Sequence, residues 1–336
     1  MKIARNKRYG GPDKVEVVEV PIPAVRPDEI RVRVIYSTVN RTDVAFLRGT
    51  PVLIRLGYGI LRPRYPALGS EYAGVIDAVG ARVSGFALND RVFGFDDAPR
   101  GFGGHAEYKV VRRSSAIAKI PETLPSWMAA ASTEGAHYAL AFIAKAKVRE
   151  GDRVFVHGAT GAIGSALVQF LVSRGAIVVA SSTTEMVEHV RSQGVAWVVD
   201  WQQKPLRKHR GAYDFFFDAV GKSSFREARP LLRRGGKYAS SELGKYGVNI
   251  WLSVLSPIIR LATARGVFFP VPSMTMEVLM TIRHRLETGS FRPLVDREYQ
   301  LDDIVNAFRY VESGQKKGSV LVRVAQPENA AGPSAV

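Results

Sequence analysis

The chain has 336 residues, a length that suits two domains, and with 46% hydrophobic and 23% charged residues it has the composition of an ordinary globular protein. The absence of cysteine excludes disulfides, thiolate metal sites and a cysteine nucleophile. Its 47 lysines and arginines against 31 acidic residues give a net charge of +16, but the cations are spread along the chain without a basic block, zinc-finger spacing or aromatic RNA-binding signature, so a diffusely basic surface is expected rather than a nucleic-acid site.

The first ten residues, MKIARNKRYG, hold no apolar run of the secretory kind, and a cytoplasmic location is expected. Over the first 120 residues strands are predicted at KVEVVEVPIP (14–23), EIRVRVIYSTV (29–39), AGVIDAVG (73–80), DRVFGF (90–95) and AEYKVV (106–111), separated by Gly and Pro turns. Such a pattern marks an all-β or mixed domain. From 153 to 270 the pattern changes to strands alternating with amphipathic helices. RVFVH (153–157) is followed by a helix with apolar residues at Ile163, Ala166, Leu167, Phe170 and Leu171. Strand AIVVAS, helix TEMVEHVRSQG, and strands AWVVD and YDFFFDAVG come next. A helix is predicted over SSFREARPLLRRGG (223–236), kinked at Pro230, before strands KYAS and VFFPV. This alternation predicts an α/β domain with parallel strands and helices on both faces. The greasy segment 250–264 contains Pro257 and Arg260 and falls short of the roughly 20 apolar residues of a membrane span. After 271 come two helices (274–289 and 301–314), a strand (319–325) and a tail (326–336).

The segment VHGATGAIG (156–164) lies between the first strand and first helix of the alternating region, with Gly158, Gly161 and Gly164 spaced by three. Small residues there let the chain turn sharply and let a pyrophosphate approach the helix-start amides. The second strand ends in Ser181, Ser182 and Thr183, where NAD binders usually place a carboxylate. Hydroxyls can donate to a 2′-phosphate that a carboxylate would repel, so NADPH is the expected cofactor. The same three residues can also cap the next helix. No Lys or Arg follows at once; Arg191 is a distant candidate.

These segments resemble the medium-chain dehydrogenase/reductase superfamily, in its zinc-free quinone oxidoreductase and enone reductase branch. The resemblance runs over residues 1–324 and is carried by RYGGPDKVEVVEVPIP, VNRTDVAFLRG, LGSEYAGVIDAVG, GGHAEYKVV, GDRVFVHGATGAIGSALVQF, FDAVG, RRGGKYAS and the block from Leu286 to Val322, in the family's order. It implies a GroES-like β-rich catalytic domain (1–123), a Rossmann NADP-binding domain (124–270) and a return to the catalytic domain (271–325). The cofactor residues implied are Gly158, Ala159, Thr160, Gly161, Ala162, Ile163, Gly164, Ser181, Ser182, Thr183, Ala219, Val220, Phe268 and Phe269. The catalytic candidates are Asn40, Asp43, His137 and Tyr138. Asn40 could hydrogen-bond substrate or the cofactor amide, while Asp43 could equally cap a helix beginning near 43. His137 or Tyr138 could shuttle a proton or be structural. Glu71 is read as a loop organiser. Phe268 and Phe269 wall the pocket or form strand core.

Departures from the family narrow the chemistry. Zinc-containing relatives use a cysteine and the histidine of G-H-E; here the latter reads Gly69-Ser70-Glu71, so no metal site is expected. The tyrosine of related quinone reductases is Ala45, and the late Gly-Lys is Gly318-Ser319, with Lys316 and Lys317 just before. Without a Lewis acid, a quinone or α,β-unsaturated carbonyl substrate is expected. The alternatives are an enoyl thioester, or a non-catalytic NADPH-binding protein with affinity for RNA or other polyanions. The resemblance also implies a homodimer or homotetramer, with the GVFFPV edge as interface. In segment 49–66 Val52, Leu53, Ile54, Leu56, Ile60 and Leu61 alternate with arginines, Arg48 preceding it. Three readings stand for it: a lid over an apolar substrate, a transient contact with acidic membrane, or a packed loop.

Overall fold

Alternating apolar side chains organise the N-terminal part of the chain. A computed structural model describes residues 1–97, 101–203, 210–244 and 247–326. They fall into two compact units, Met1–Glu134 with Met274–Val336, and Gly135–Ser273. The expected tail lies outside the described residues from 327 onward.

In the first unit β1 (Lys2–Arg5) and β2 (Glu16–Glu19) form an antiparallel pair. The long strand β3 (Glu29–Val39) pairs antiparallel with β4 (Glu71–Val79), which continues to β5 (Arg91–Phe95). β6 (Tyr108–Arg112) pairs with β3, and β7 (Ile117–Lys119) with β5. Ile30, Val32 and Val34 of β3 point into one core with Tyr72, Ile76, Val92, Val111 and Ile117, as the two-residue period of a strand requires. Helices α1 (Arg41–Arg48) and α2 (Leu53–Tyr58) fill the connection from β3 to β4, and α3 (Ser126–Ala130) follows β7. Helix α4 (Thr133–Ala146) then leads into the second unit.

The second unit is a six-stranded sheet of β8 (Arg153–His157), β9 (Ile177–Ser182), β10 (Trp197–Asp200), β11 (Tyr213–Asp218), β12 (Leu232–Ser240) and β13 (Gly266–Phe268). Its order is β10-β9-β8-β11-β12-β13, and every pairing is parallel. In the unit's own count this is 3-2-1-4-5-6, the doubly wound dinucleotide-binding arrangement. β11 is buried at all six residues, as a central parallel strand covered on both faces must be. Its Phe216 stacks on Phe155 of β8, ring centroids 4.9 Å apart. Helices α5 (Ala162–Ser173), α6 (Val187–Ser192), α7 (Phe225–Ala228), α8 (Val248–Val254) and α9 (Ser256–Thr263) make the crossovers and the outer layer.

One predicted element is corrected. The helix expected over 223–236 is a single turn, α7, and Leu232–Ser240 is strand β12. Pro230 ends the helix rather than kinking it, because it has no N–H to donate and its ring opposes the preceding turn. Residues Arg233–Gly236, read as the helix end, belong to the strand.

The last stretch returns to the first unit. Helix α10 (Met276–Glu287) precedes β14 (Val295–Gln300), helix α11 (Ile304–Glu312) and β15 (Ser319–Arg323). β15 pairs antiparallel with β3 and parallel with β14, giving the sheet order β14-β15-β3-β4-β5-β7. Ile304, Phe308 and Val311 of α11 pack with Val39, Leu47, Leu68, Val320 and Val322 in a second core. Among the described residues no helix is long and apolar enough to cross a membrane.

The start of α5 tests how tightly this sheet is covered. A Cβ on Gly164 would overlap the carbonyl oxygen of Gly158, whereas one on Gly161 would have no neighbour nearer than 3.7 Å. Gly164→Ala is expected to destabilise the protein by about 1–3 kcal/mol through overpacking. Gly161→Ala, at the helix N-cap, is expected to lose under about 1 kcal/mol. Urea unfolding of the two variants checks this ordering.

Candidate cofactor-binding and catalytic sites

In the first unit the candidate residues meet where β3 ends, α1 begins and β4 starts. The helix begins at Arg41, two residues earlier than expected, and Asn40 rather than Asp43 is its N-cap. The Asp43 amide donates to Asn40 Oδ1 (2.8 Å), and the Asn40 amide donates to Asp43 Oδ2 (3.0 Å). This reciprocal pair is a capping box. Asn40 Nδ2 donates to Ser70 Oγ (3.0 Å) and toward Glu71 Oε2 (3.4 Å). Ser70 closes the ring by donating its amide and hydroxyl to Asp43 Oδ1, each at 3.2 Å. Asn40, Asp43, Ser70 and Glu71 are all buried.

Glu71 gathers further donors. Its Oε1 accepts from Thr133 Oγ1 (2.6 Å) and the Glu134 amide (2.7 Å), and its Oε2 accepts from Thr38 Oγ1. The carboxylate therefore ties β3, α1, β4 and the start of α4 together, through side chains as much as through backbone amides. Burial pushes the Asp43 carboxyl well above the usual carboxylate range, and the Glu134 and Glu71 carboxylates push it the same way. Burial lowers the Lys316 ammonium, whose Nζ donates to the Gly318 carbonyl at 2.9 Å. Sequence reasoning passed over Thr38 and Thr133. Their only signal was a small hydroxyl at a strand end and a helix start, where such residues are common.

In the second unit the cofactor candidates lie along the C-terminal edge of the parallel sheet, at the ends of β8, β9, β11 and β13. Gly158 has φ +83° and packs against Val220, whose methyl a Cβ there would overlap. Ser181 is turned inward: its Oγ accepts from the Gly158 amide (3.0 Å) and meets His157 Nδ1 (2.8 Å), and its carbonyl accepts from the Ala159 amide (3.1 Å). Burial holds His157 below its ordinary pKa against the pull of Asp218, so a neutral ring can accept a hydrogen bond from the Ser181 hydroxyl. Ser182 is also buried and donates to the Thr183 carbonyl (2.9 Å), while Thr183 is half-buried. Asp218 accepts from the amides of Val220 (3.2 Å), Gly221 (2.9 Å) and Ser223 (3.0 Å), which fixes the loop carrying Ala219 and Val220. The motif FDAVG contained this aspartate, but its role depends on a turn that only the fold displays.

Gly161 is the N-cap of the 12-residue helix α5 and has no side chain to satisfy the first amides. Thr160, Gly161, Ala162 and Ile163 are half-exposed and Gly164 is buried. Open amides, a positive helix end and glycines that admit no Cβ fit the pyrophosphate of a dinucleotide. Phe268 is buried against Phe217, ring centroids 6.2 Å apart, and Phe269 is half-buried. His137 and Tyr138 form an edge-to-face pair at 4.9 Å on α4, with His137 buried. Among the described residues no three His or carboxylate side chains cluster as metal ligands do.

Residues 26–122 match the family described as alcohol dehydrogenase GroES-like domain, and residues 175–322 the family described as zinc-binding dehydrogenase. The 2-methylene-furan-3-one reductase of Solanum lycopersicum is 27% identical over 326 residues, spanning 94% of this chain and 76% of that protein. The quinone oxidoreductase of Homo sapiens is 26% identical over 330 residues, spanning 94% of each. The crystal structure of Escherichia coli quinone oxidoreductase complexed with NADPH is similar with a TM-score of 0.80 at 21% identity, over 96% of this chain and 100% of that one. A GroES-like unit and a doubly wound nucleotide-binding unit define the class of protein. The chain belongs to the medium-chain dehydrogenase/reductase superfamily.

Glu71→Ala takes the carboxylate acceptor from the Thr38 and Thr133 hydroxyls and the Glu134 amide, and one of two acceptors from Asn40 Nδ2, so a loss of at least about 3 kcal/mol in urea unfolding is expected. Asp43 gives a pH signature. Its folded pKa lies above the ordinary 3.8, so the folded state holds this proton more tightly than the unfolded chain. The contribution to stability is fully present below pH 3.8 and declines as pH rises toward the folded pKa. The stability of wild type minus that of Asp43→Asn should therefore fall from acid toward neutral pH; a difference that rises contradicts the assignment.

Proposed function

We propose that the protein is a zinc-independent, NADPH-dependent reductase of quinones or α,β-unsaturated carbonyl compounds. The observation that carries this reading is the open N-terminus of α5 at the glycine turn, on the cofactor edge of a 3-2-1-4-5-6 sheet. The names of the sequence relatives, a furan-3-one reductase and a quinone oxidoreductase, support both substrate classes. Bound NADPH would supply a hydride to an electrophilic carbon or a quinone ring. The amides of Ala162, Ile163 and Gly164 would hold the pyrophosphate, and Ala219 and Val220 would border the cofactor. Thr183 would face the 2′-phosphate, with Ser181 and Ser182 shaping the strand end behind it. Asn40 and Asp43 would be the first unit's candidates for contact with the substrate, and His137 or Tyr138 the second unit's candidates for delivering the proton. Quinones and enones are activated by their own conjugation, so positioning and exclusion of water suffice.

The test is oxidation of NADPH with a panel of quinones, enals and enoyl thioesters. Turnover of a quinone or enone is expected. NADPH binding without turnover of any of them would instead identify a non-catalytic binder. Fluorescence titration should give a lower Kd for NADPH than for NADH. Thr183→Asp should weaken NADPH by about tenfold, equivalent to about 1.4 kcal/mol of like-charge repulsion, and leave NADH unchanged. Equal affinities in wild type would contradict the coenzyme preference.

The proposed assembly is a homodimer through the outward face of α8 and α9. Trp251, Val254, Leu255, Ile258 and Leu261 lie at helical spacing and are exposed, Leu261 by 93%. The neighbouring edge strand β13 is less suited to pairing, since the amides of Val267 and Phe269 already donate to Ser256 Oγ (2.9 Å) and Ser253 Oγ (3.1 Å). Light scattering should give twice 36.9 kDa for wild type and 36.9 kDa for Trp251→Glu/Leu261→Glu. A dimer that survives both substitutions places the interface elsewhere.

A further inference from the structure

The connection from α1 to β4 carries a second exposed apolar surface, with a different composition. Between Asp43 and Glu71 the chain has four arginines and no acidic residue. From Pro51 to Tyr65 it also lacks Ser, Thr, Asn and Gln. The segment is nevertheless firmly built on its inner side. Tyr58 is buried, its ring 5.3 Å from Phe46 and 6.0 Å from Tyr9, and its hydroxyl donates to the Tyr65 carbonyl. The Arg55 guanidinium lies over the Tyr9 ring at 4.6 Å, and its Nε donates to the Gly49 carbonyl at 3.0 Å. Tyr9 donates in turn to the Gly59 carbonyl at 2.5 Å.

The outer side is aliphatic and cationic. Leu56, Ile60 and Leu61 are exposed by 70, 68 and 91%, and Val52 by 68%. Arg62 and Arg64 beside them are exposed, and neither forms an ion pair among the described residues. Lys7 and Arg8, next to the Tyr9 that anchors the segment, are exposed as well. A segment held this well does not need four aliphatic side chains in water, so the surface fits a partner. From Pro51 to Tyr65 the charged side chains are all arginines, so charge complementarity calls for an anionic partner. An anionic bilayer asks only for what this face offers: aliphatic side chains for the acyl boundary and arginine forks for lipid phosphates.

We propose that this surface docks the protein onto anionic lipid bilayers, with Leu56, Ile60 and Leu61 entering the headgroup region and Arg62 and Arg64 binding lipid phosphates. Long arginine side chains reach the phosphate level while the neighbouring leucines go deeper. The attraction is electrostatic in its long range and weakens with salt.

The experiment is co-sedimentation of the full chain with phosphatidylserine-containing vesicles and with pure phosphatidylcholine vesicles. Binding to the former only, and weakening with salt, is expected. Arg62→Gln/Arg64→Gln should weaken it by about 5-fold per arginine, and Leu61→Gln severalfold. Because the whole protein is strongly basic, Arg149→Gln/Arg226→Gln serves as the charge-matched control and should bind nearly as wild type. NADPH affinity and circular dichroism should be unchanged in all variants, which separates lost docking from lost folding. Three results would each overturn the proposal: equal loss in the control pair, equal binding to neutral vesicles, or no vesicle binding by wild type.

Discussion

The carboxylate of Glu71 is the constraint on which the first unit depends. It stands at the first residue of β4 and accepts from the end of β3, the cap of α1 and the start of α4. A buried carboxylate is tolerable only when its oxygens are filled by donors, and here the chain supplies them from three elements. The consequence reaches Asn40 and Asp43, because the side chain that caps α1 also points its amide at Ser70 and Glu71. Ser70 donates to Asp43 and accepts from Asn40, so the polar groups at this position satisfy one another.

The second unit applies the same economy of hydrogen bonds to a different end. Ser181 and Asp218 spend their oxygen acceptors on loop amides, so the turns after β8 and β11 are fixed before any ligand arrives. Gly158 and Gly164 are packed so closely that neither can carry a side chain. What the loop leaves unspent is the set of amides at the start of α5. Preorganised donors of this kind bind an anion without the entropic cost of ordering them at the moment of binding.

Much of this was legible in the sequence, and the exceptions have physical causes. The switch from two-residue to helical periodicity separated the β-rich from the α/β region, and the glycine spacing located the turn between β8 and α5. The helix over 223–236 failed because RRGG reads equally as a helix end and as a polar strand, and only the pairing of Leu232 and Lys237, on either side of it, with β11 decides. The start of α1 was misplaced by two residues because Asn40 and Asp43 are both good caps, and the capping box uses both. Ser181 looked like a ligand for the cofactor, yet its hydroxyl faces the loop, a direction that a strand's two-residue alternation leaves undetermined at its last residues. Contacts such as Glu71 with Thr133, 62 residues apart, have no local signature.

The most direct measurement of the central claim follows the hydride itself. With NADPH carrying deuterium at both C4 positions of the nicotinamide and an enone as acceptor, mass spectrometry of the product reports the transfer, and the rate is compared with and without a zinc chelator. The account predicts one deuterium bonded to the β-carbon of the reduced enone at an undiminished rate. A product without label, or turnover that the chelator abolishes, would contradict it.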